Sequence, residues 1–96
     1  GEYGLYFFNS KDKKLSKVRT YEGPIHDFSW DPTGSYFIVI SGFMPANSVL
    51  FNNLNEPMLE FGKHHRNLIS WSPQGRFVCL AGYGNLNGEM EVWDIK

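Results

Sequence analysis

Two runs of apolar residues dominate the hydrophobic pattern of the chain. They cover positions 36–40 and 77–81, are nearly continuous, and are rich in aromatic and β-branched side chains. Runs of this kind predict β-strands that are buried on both faces. The stretches 48–51 and 89–93 instead alternate between apolar and polar residues, as a strand with one covered face does. No stretch shows the apolar period of about 3.6 residues that predicts a helix.

Turn signals separate the predicted strands. Asp31-Pro32-Thr33-Gly34 and Ser72-Pro73-Gln74-Gly75 each place proline and glycine where a type I turn prefers them. The stretches 15–21 and 57–61 carry charges and fit outer strands, because charge discourages edge-to-edge pairing. The complete prediction is nine strands, at residues 4–8, 15–21, 25–30, 35–41, 48–52, 57–61, 67–71, 76–82 and 89–93.

The strands belong to an internal repeat. Ser29-Trp30 returns as Ser70-Trp71 after 41 positions, and other elements return in the same order at offsets of 40 to 43. A period of about 40–45 residues with four strands is typical of a WD40 propeller blade. Because a closed ring needs at least about four blades, the sequence predicts an all-β, WD40-type β-propeller fragment. It would hold about two four-stranded blades plus one extra strand.

We label the strands of a blade a to d, from the centre of the propeller to its rim. In this scheme residues 1–96 form one partial β-propeller. Strand c of a preceding blade covers 4–8, the first repeat covers 15–52, and the second repeat covers 57–93. The b–c and d–a loops are then expected at one end of the blades.

Composition narrows the class of protein. The chain has 96 residues, 42% of them apolar and 17% aromatic, which excludes a disordered segment. Nine basic and ten acidic residues leave a net charge of −1, which excludes a wholly basic nucleic-acid domain. The single cysteine and the absence of a secretory signal pattern favour a reducing compartment. No apolar run approaches the roughly 20 residues of a membrane helix, so no membrane partner is expected.

Three features could indicate catalysis or metal binding, and each has a simpler explanation. The glycine-rich stretch 82–88 precedes a strand pattern, whereas a phosphate-binding loop needs a helix after it. His64 and His65 are adjacent, so on a strand they would point to opposite faces and chelate one metal poorly. Cys79 lies in an apolar strand, where a buried cysteine behaves as a small hydrophobe. The sequence therefore predicts a protein that is not an enzyme and has no metal or cofactor.

Basic residues are concentrated in two clusters at opposite ends of the predicted blades. The larger cluster holds five of the nine, opposed only by Asp12: Lys11, Lys13, Lys14, Lys17 and Arg19. The smaller cluster is in the predicted d–a loop and contains Lys63, His64, His65 and Arg66. Local charge can contact phosphates even when the net charge is near zero. Lysines on an outer strand also protect its edge from pairing, so both interpretations stay open.

The remaining candidates lie in the two predicted b–c loops, at the same end as the Lys63 cluster. Aromatic residues within the strands are expected to pack in the core, whereas Phe43 and Tyr83 precede loop residues and are more open. Loops on a rigid scaffold often carry binding residues. The candidate binding residues in these loops are Phe43, Met44, Asn47, Tyr83, Asn85 and Asn87.

Several of these strings resemble the eukaryotic translation initiation factor 2A family. The most specific are Gly42-Phe43-Met44-Pro45-Ala46, Gly84-Asn85-Leu86 and Gly88-Glu89-Met90-Glu91-Val92-Trp93-Asp94. The resemblance covers nearly all of residues 23–96 and is weaker before residue 21. A related propeller, in the large RNA-binding subunit of initiation factor three, shares the blade pattern but fits these loops less well.

The resemblance implies a cytoplasmic translation factor that is not a GTPase and has a large WD-type propeller. It implies binding to the small (40S) ribosomal subunit and to initiator tRNA, with tRNA and mRNA contacts largely in regions outside this chain. No site motif of the family carries over to individual residues. The alternative is a generic WD-repeat scaffold that binds other proteins. Trp93-Asp94 has Phe51-Asn52 and Phe8-Asn9 as counterparts, so an incomplete WD40 hydrogen-bond network is expected.

Overall fold

Antiparallel β-strands make up the regular structure of the chain. A computed structural model describes residues 3–82 and 88–95, and within these ranges it contains nine strands and no helix. The all-β prediction is therefore confirmed. The strands are β1 (Tyr3–Asn9), β2 (Lys14–Tyr21), β3 (Ile25–Trp30), β4 (Tyr36–Ser41), β5 (Ala46–Asn52), β6 (Pro57–His64), β7 (Leu68–Trp71), β8 (Phe77–Ala81) and β9 (Met90–Asp94).

The strands form three sheets in which each strand pairs with its neighbour in the chain. The sheets contain β1–β2, β3–β4–β5–β6 and β7–β8–β9, and we call them the first, second and third blades. The second blade has all four strands in the order a to d. Each sequence repeat begins with strand d, which completes the sheet before it. The nine strands are therefore divided as two, four and three among the sheets.

Strand β4 lies at the centre of the packed structure, because both of its faces are covered. Phe37 and Val39 pack against the first blade, and Ile38 and Ile40 pack against the third. All four side chains are at most 1% exposed. Successive side chains of a strand point to opposite faces, so a strand covered on both faces requires an uninterrupted apolar run.

Strand β8 has a similar sequence but a different environment. Val78 and Leu80 are buried against the second blade, whereas Phe77 is 41% exposed and Cys79 is half-buried. The prediction that residues 77–81 are buried on both faces is wrong for this chain. The reason is that a sheet packs against only one face of the third blade within the described residues.

Polar contacts join the second and third blades, which share no strand pairing in the part of the chain that the structure describes. Oδ2 of Asp27 on β3 accepts a hydrogen bond of 2.7 Å from the backbone N–H of Ile69 on β7. The indole Nε1 of Trp71 donates a bond of 3.3 Å to the backbone oxygen of Ser29. These bonds hold the two a strands in register with each other.

The connections between strands lie at two ends of the blades. The loop end consists of residues 22–24, 42–45 and 65–67. The turn end consists of residues 10–13, 31–35, 53–56 and 72–76. At the loop end the N–H of Gly42 donates to the oxygen of Pro24 over 2.9 Å, and at the turn end Asn53 Nδ2 donates to the oxygen of Gly34 over 3.4 Å. Connections from different strands thus contact each other at both ends.

Two sheet faces remain uncovered by the described residues. Strand β1 exposes one face and the third blade exposes another. Their large apolar side chains, each 41–64% exposed, are Tyr6, Phe8, Leu68, Phe77, Met90 and Val92.

We expect the 96-residue chain, expressed on its own, to self-associate or aggregate. The exposed apolar faces and the unpaired strand edges are both available for contact with a second copy. Size-exclusion chromatography with light scattering measures the association state directly. A monomer that unfolds cooperatively would contradict this expectation.

Candidate functional site

Charged side chains converge at the loop end, where β6 of the second blade meets β9 of the third. Oε2 of Glu91 lies 2.6 Å from Nδ1 of His64 and 3.0 Å from a terminal nitrogen of Arg66. Oε1 of Glu91 accepts a hydrogen bond of 2.6 Å from the indole of Trp93. We call these four residues the Glu91 junction. Its carboxylate connects strand β6 to strand β9 and so links two blades.

The Glu91 carboxylate is ionised in this arrangement. Partial burial by itself raises the pKa, but hydrogen bonds from His64 and Trp93 and the nearby charge of Arg66 outweigh that effect. The pKa of Glu91 is therefore lowered from its ordinary value. A carboxylate stabilised in its charged form suits a structural clamp better than a proton-transfer catalyst, whose pKa would lie near the working pH.

Arg66 belongs to the interior of this junction. It is 7% exposed, and one terminal nitrogen donates to the backbone oxygen of His65 over 3.2 Å and to Oε1 of Glu89 over 3.3 Å. A buried cation must be paired, because an unpaired one is costly to remove from water. The sequence placed Arg66 among the accessible loop cations, whereas the structure places it inside, held by Glu89 and Glu91.

The accessible part of the loop end is smaller than the sequence cluster. Lys63, His64 and His65 are exposed, and with Pro45 and the two partners Arg66 and Glu89 they line a groove of about 390 Å³. Lys63 and His64 lie on the end of β6 rather than in a loop, because that strand extends to His64. The groove therefore has walls from the end of strand β6 and from three connections, those that hold Pro45, His65 and Glu89.

Phe43 projects from a fixed position in the 42–45 connection, two residues before Pro45 of the groove wall. Its side chain is 73% exposed, although the residue before it is held firmly. The oxygen of Gly42 lies 2.6 Å from Nε2 of His26, and a Cβ on Gly23 would come within 2.6 Å of the Gly42 Cα. The close approach of Gly23 to Gly42 joins the d–a and b–c connections. An exposed aromatic on a rigid base loses little conformational entropy when it binds.

The other b–c loop candidates differ from Phe43. Met44 is half-buried and packs against the core between the second and third blades. Asn47 lies on β5, half-buried, and its side chain is 3.5 Å from Oε1 of Glu60. Both are less available to a partner than Phe43. The remaining three, Tyr83, Asn85 and Asn87, lie outside the described residues.

The larger basic cluster also divides into accessible and structural members. Lys11, Lys13, Lys14 and Lys17 are exposed. The guanidinium of Arg19 lies 4.3 Å from the centre of the Phe51 ring. Its terminal nitrogen donates to the backbone oxygen of Asn55 over 3.1 Å and to Oδ1 over 2.9 Å. Arg19 therefore fastens the first blade to the second.

A second groove, of about 330 Å³, lies at the turn end beside Asp31. The hydroxyl of Thr33 and the backbone N–H groups of Ser35 and Tyr36 donate to the Asp31 carboxylate over 2.6 to 3.0 Å. Burial opposes ionisation of Asp31, but these hydrogen bonds outweigh it and lower the pKa. A Cβ on Gly75 would lie 2.6 Å from Oδ2 of Asp31, so glycine lets the third blade approach. The carboxylate is thus committed to the turn.

The structure describes only some of the features that could have indicated catalysis. Cys79 is a half-buried free thiol on β8, and residues 83–87 of the glycine-rich stretch lie outside the described residues. Among the residues that the structure describes, no group of three or more His, Cys, Asp or Glu side chains is placed to hold a metal ion. In the same residues no helix is long and apolar enough to cross a membrane.

Sequence reasoning missed the acidic half of the Glu91 junction. Glu91 and Trp93 occupy the face of β9 that packs on the second blade, while Met90 and Val92 point away from it. An apolar pattern alone would place Met90 and Val92 inside. One signal in the sequence could have indicated this contact. Two acidic residues lie in β9 or just before it, and a basic stretch lies just before β7. Opposite charges on neighbouring strands favour contact.

Replacing Glu91 tests the junction. We expect Glu91→Gln to lower the free energy of unfolding of the intact protein by about 1–3 kcal/mol at neutral pH, because charge-assisted hydrogen bonds are lost. The folded pKa lies below the unfolded one, so the contribution is complete above the unfolded pKa and is lost as the pH falls through the folded pKa. The difference between the two proteins, measured by urea unfolding, should shrink in acid. Glu60→Gln is the control, and a difference independent of pH would rule out this role.

Two neighbouring basic residues should behave differently. We expect Arg19→Gln to destabilise the intact protein by about 1–2 kcal/mol, because the contacts with Phe51 and Asn55 are lost. Lys17→Gln, on the exposed part of the same strand, should change stability by no more than about 0.5 kcal/mol. Chemical denaturation of both variants makes the comparison. Equal effects would show that Arg19 is not a structural cation.

Comparison with known proteins shows which family model and which relatives the chain is similar to. The family model described as eukaryotic translation initiation factor eIF2A matches residues 1–96. Eukaryotic translation initiation factor 2A of Dictyostelium discoideum is 43% identical over 95 residues, which cover 99% of this chain and 15% of that protein. The Drosophila melanogaster factor of the same name is 37% identical over 96 residues, covering 100% of this chain and 15% of that protein.

A second initiation factor and a solved structure are also similar. One of the subunits of eukaryotic translation initiation factor 3 from Xenopus laevis is 40% identical over 99 residues, which cover 98% of this chain and 14% of that protein. A crystal structure of a eukaryotic initiation factor matches with a TM-score of 0.76 and 27% identity, covering 97% of this chain and 28% of that one. The WD40-type propeller-fragment prediction is confirmed. The chain spans about 15% of the length of the factor 2A relatives and belongs to the eukaryotic translation initiation factor eIF2A family.

Proposed function

We propose that this chain is part of a non-catalytic initiation factor whose propeller docks on the small (40S) ribosomal subunit through the loop end. Docking there would support delivery of initiator tRNA, while the contacts with tRNA and mRNA lie largely in regions outside this chain. The proposal places the protein in the cytoplasm, where translation initiates. Its general basis is that the relatives are named as translation initiation factors.

The observation that carries the proposal is the combination, at one end of the blades, of the exposed Phe43 with the groove that Pro45 and Lys63 line. An aromatic ring that is 73% exposed can stack on an unpaired base or fill a protein pocket. Lys63, exposed on the groove wall, can pair with a phosphate. A ribosomal surface offers both RNA and protein, so an aromatic and an exposed cation on a rigid base suit it.

A WD-repeat scaffold for another protein is the second candidate. The net charge of −1 and the prominence of Phe43 favour it, since aromatic side chains dominate protein–protein hot spots. The two candidates differ in their dependence on salt. Binding through phosphates weakens steeply as salt rises, whereas an aromatic anchor in a protein pocket is much less sensitive.

The loop end is tested by combining Phe43→Ala, Lys63→Gln and His65→Ala in the intact factor. We expect the affinity for purified 40S subunits, measured by co-sedimentation, to fall at least about tenfold, as the loss of one hot-spot residue would cause. The melting temperature should not change, because all three side chains are exposed.

Leu54→Ala is the matched control, since Leu54 is 75% exposed at the turn end and is similar in size to Phe43. It should leave 40S binding unchanged. Co-sedimentation that survives the loop-end substitutions at full strength would reject the loop end as the contact. If the binding of the wild-type factor does not weaken as the salt concentration rises, its contact is with protein, which favours the protein-scaffold candidate.

A further inference from the structure

A hairpin at the turn end presents four exposed lysines. We call residues 9–17 the lysine hairpin, with the turn at 10–13 and the side chains of Lys11, Lys13, Lys14 and Lys17. Within residues 3–82 and 88–95, none of the ion pairs includes a lysine. The lysine hairpin is also at the opposite end of the blades from Phe43.

The only acidic residue of the hairpin is engaged with its backbone. Oδ1 of Asp12 accepts a hydrogen bond of 3.0 Å from the N–H of Lys14. Oδ1 of Asn9 likewise accepts a bond of 2.9 Å from the N–H of Lys11. Asp12 thus shapes the turn, and the hairpin contains one carboxylate and four ammonium groups. The hairpin keeps a local excess of positive charge in a chain whose net charge is −1.

The strand that continues from the hairpin is anchored to the second blade. Arg19 donates to Asn55, and Nδ2 of Asn55 in turn lies 3.4 Å from the backbone oxygen of Val18. These contacts fix β2, at Val18 and Arg19, against the turn at 53–56. The hairpin itself is held by strand pairing up to Asn9 and Lys14 and by the side-chain bonds of Asn9 and Asp12, so a ligand would not need to order the backbone beneath the lysines.

Protection of a strand edge explains only some of these lysines. Lys17 lies on β2, the outer strand of the first blade, where positive charge discourages pairing with another chain. Lys11 and Lys13 lie in the turn, which has no strand edge to protect. A requirement for positive charge along the hairpin accounts for all four.

The chemistry of the tip favours a polyanion with evenly spaced charges. Residues 9–14 are all polar or charged, so the turn itself offers no apolar anchor for insertion into a lipid surface, and the exposed Phe8 and Leu15 pair with each other behind it. Lysine is a compact point charge that attracts a phosphate without the planar fork with which arginine grips phosphates and carboxylates in a fixed geometry, so four lysines suit binding that does not read a sequence. We propose that the lysine hairpin binds the phosphate backbone of RNA without reading its sequence; the choice of RNA over DNA rests on the proposed function.

The proposal is tested with the intact factor and fluorescein-labelled, unstructured RNA of mixed sequence, followed by anisotropy. The variant replaces Lys11, Lys13, Lys14 and Lys17 by glutamine. We expect its affinity to fall at least about tenfold near 0.1 M salt and the slope of log K against log[salt] to lose up to about 3, because each phosphate contact on a single strand contributes about 0.7. A quadruple lysine-to-arginine variant should keep both.

Arg76→Gln is the matched control, because Arg76 is exposed at the same end but is paired with Asp94 at 3.0 Å. It should leave RNA affinity unchanged. Ultraviolet crosslinking of the wild-type factor, with peptide mapping, provides a measurement that does not depend on folding of a variant. Crosslinks to the peptide containing residues 10–17 would support the proposal.

Three results would overturn the proposal. One is an unchanged affinity and salt slope in the glutamine variant. Another is crosslinking confined to other regions. The last is a variant that loses binding only to polyglutamate or to phosphatidylserine vesicles and keeps RNA.

Failure of this proposal can be told apart from failure of the proposed function. The glutamine variant of the lysine hairpin tests RNA affinity, whereas the loop-end substitutions test co-sedimentation with 40S subunits. Unchanged RNA affinity in the first variant rejects the hairpin alone. Unchanged co-sedimentation in the second rejects docking through the loop end and leaves the measured RNA affinity of the hairpin standing.

Discussion

Burial of strand β4 between two other sheets is the constraint on which the rest of the structure depends. Its side chains alternate between the two neighbours, so Phe37 and Val39 build one interface while Ile38 and Ile40 build the other. Burying apolar surface contributes roughly 25 cal/mol per Å², and a strand used on both faces contributes twice. The second blade is thus the hub to which the incomplete first and third blades attach. The outward faces of the first and third blades also carry apolar residues, as the faces that meet the second blade do.

Packing between sheets leaves polar groups to set how adjacent blades are aligned. Polar contacts lie at both interfaces between blades. Arg19 bonds to Asn55 between the first and second blades, and the Glu91 junction lies between the second and third. Apolar contact is non-directional, whereas a charge-assisted hydrogen bond has a fixed geometry. Two of the basic residues that looked available in the sequence, Arg19 and Arg66, are therefore part of the scaffold.

Because Arg19 and Arg66 belong to the scaffold, fewer candidate binding residues remain at each end of the molecule. The loop end retains a prominent aromatic, Phe43, and a groove with an exposed lysine. The turn end retains four lysines on a supported hairpin. Basic residues serve two purposes because burial decides their partners. A guanidinium packed between sheets must be neutralised within the protein, while an exposed ammonium remains able to meet an external phosphate.

The sequence by itself determined the strands, their order and the repeat, because alternation, turn residues and a period near 41 are local properties of the chain. It also located Phe43, Lys11 and Lys13 at connections between strands. Tertiary structure decided which face of each strand is covered, as β8 shows, with Val78 buried and Phe77 exposed. It likewise decided that Arg66 faces Glu91, a partner 25 positions away. Such pairings depend on how separate sheets approach each other, and that information is not contained in any local pattern.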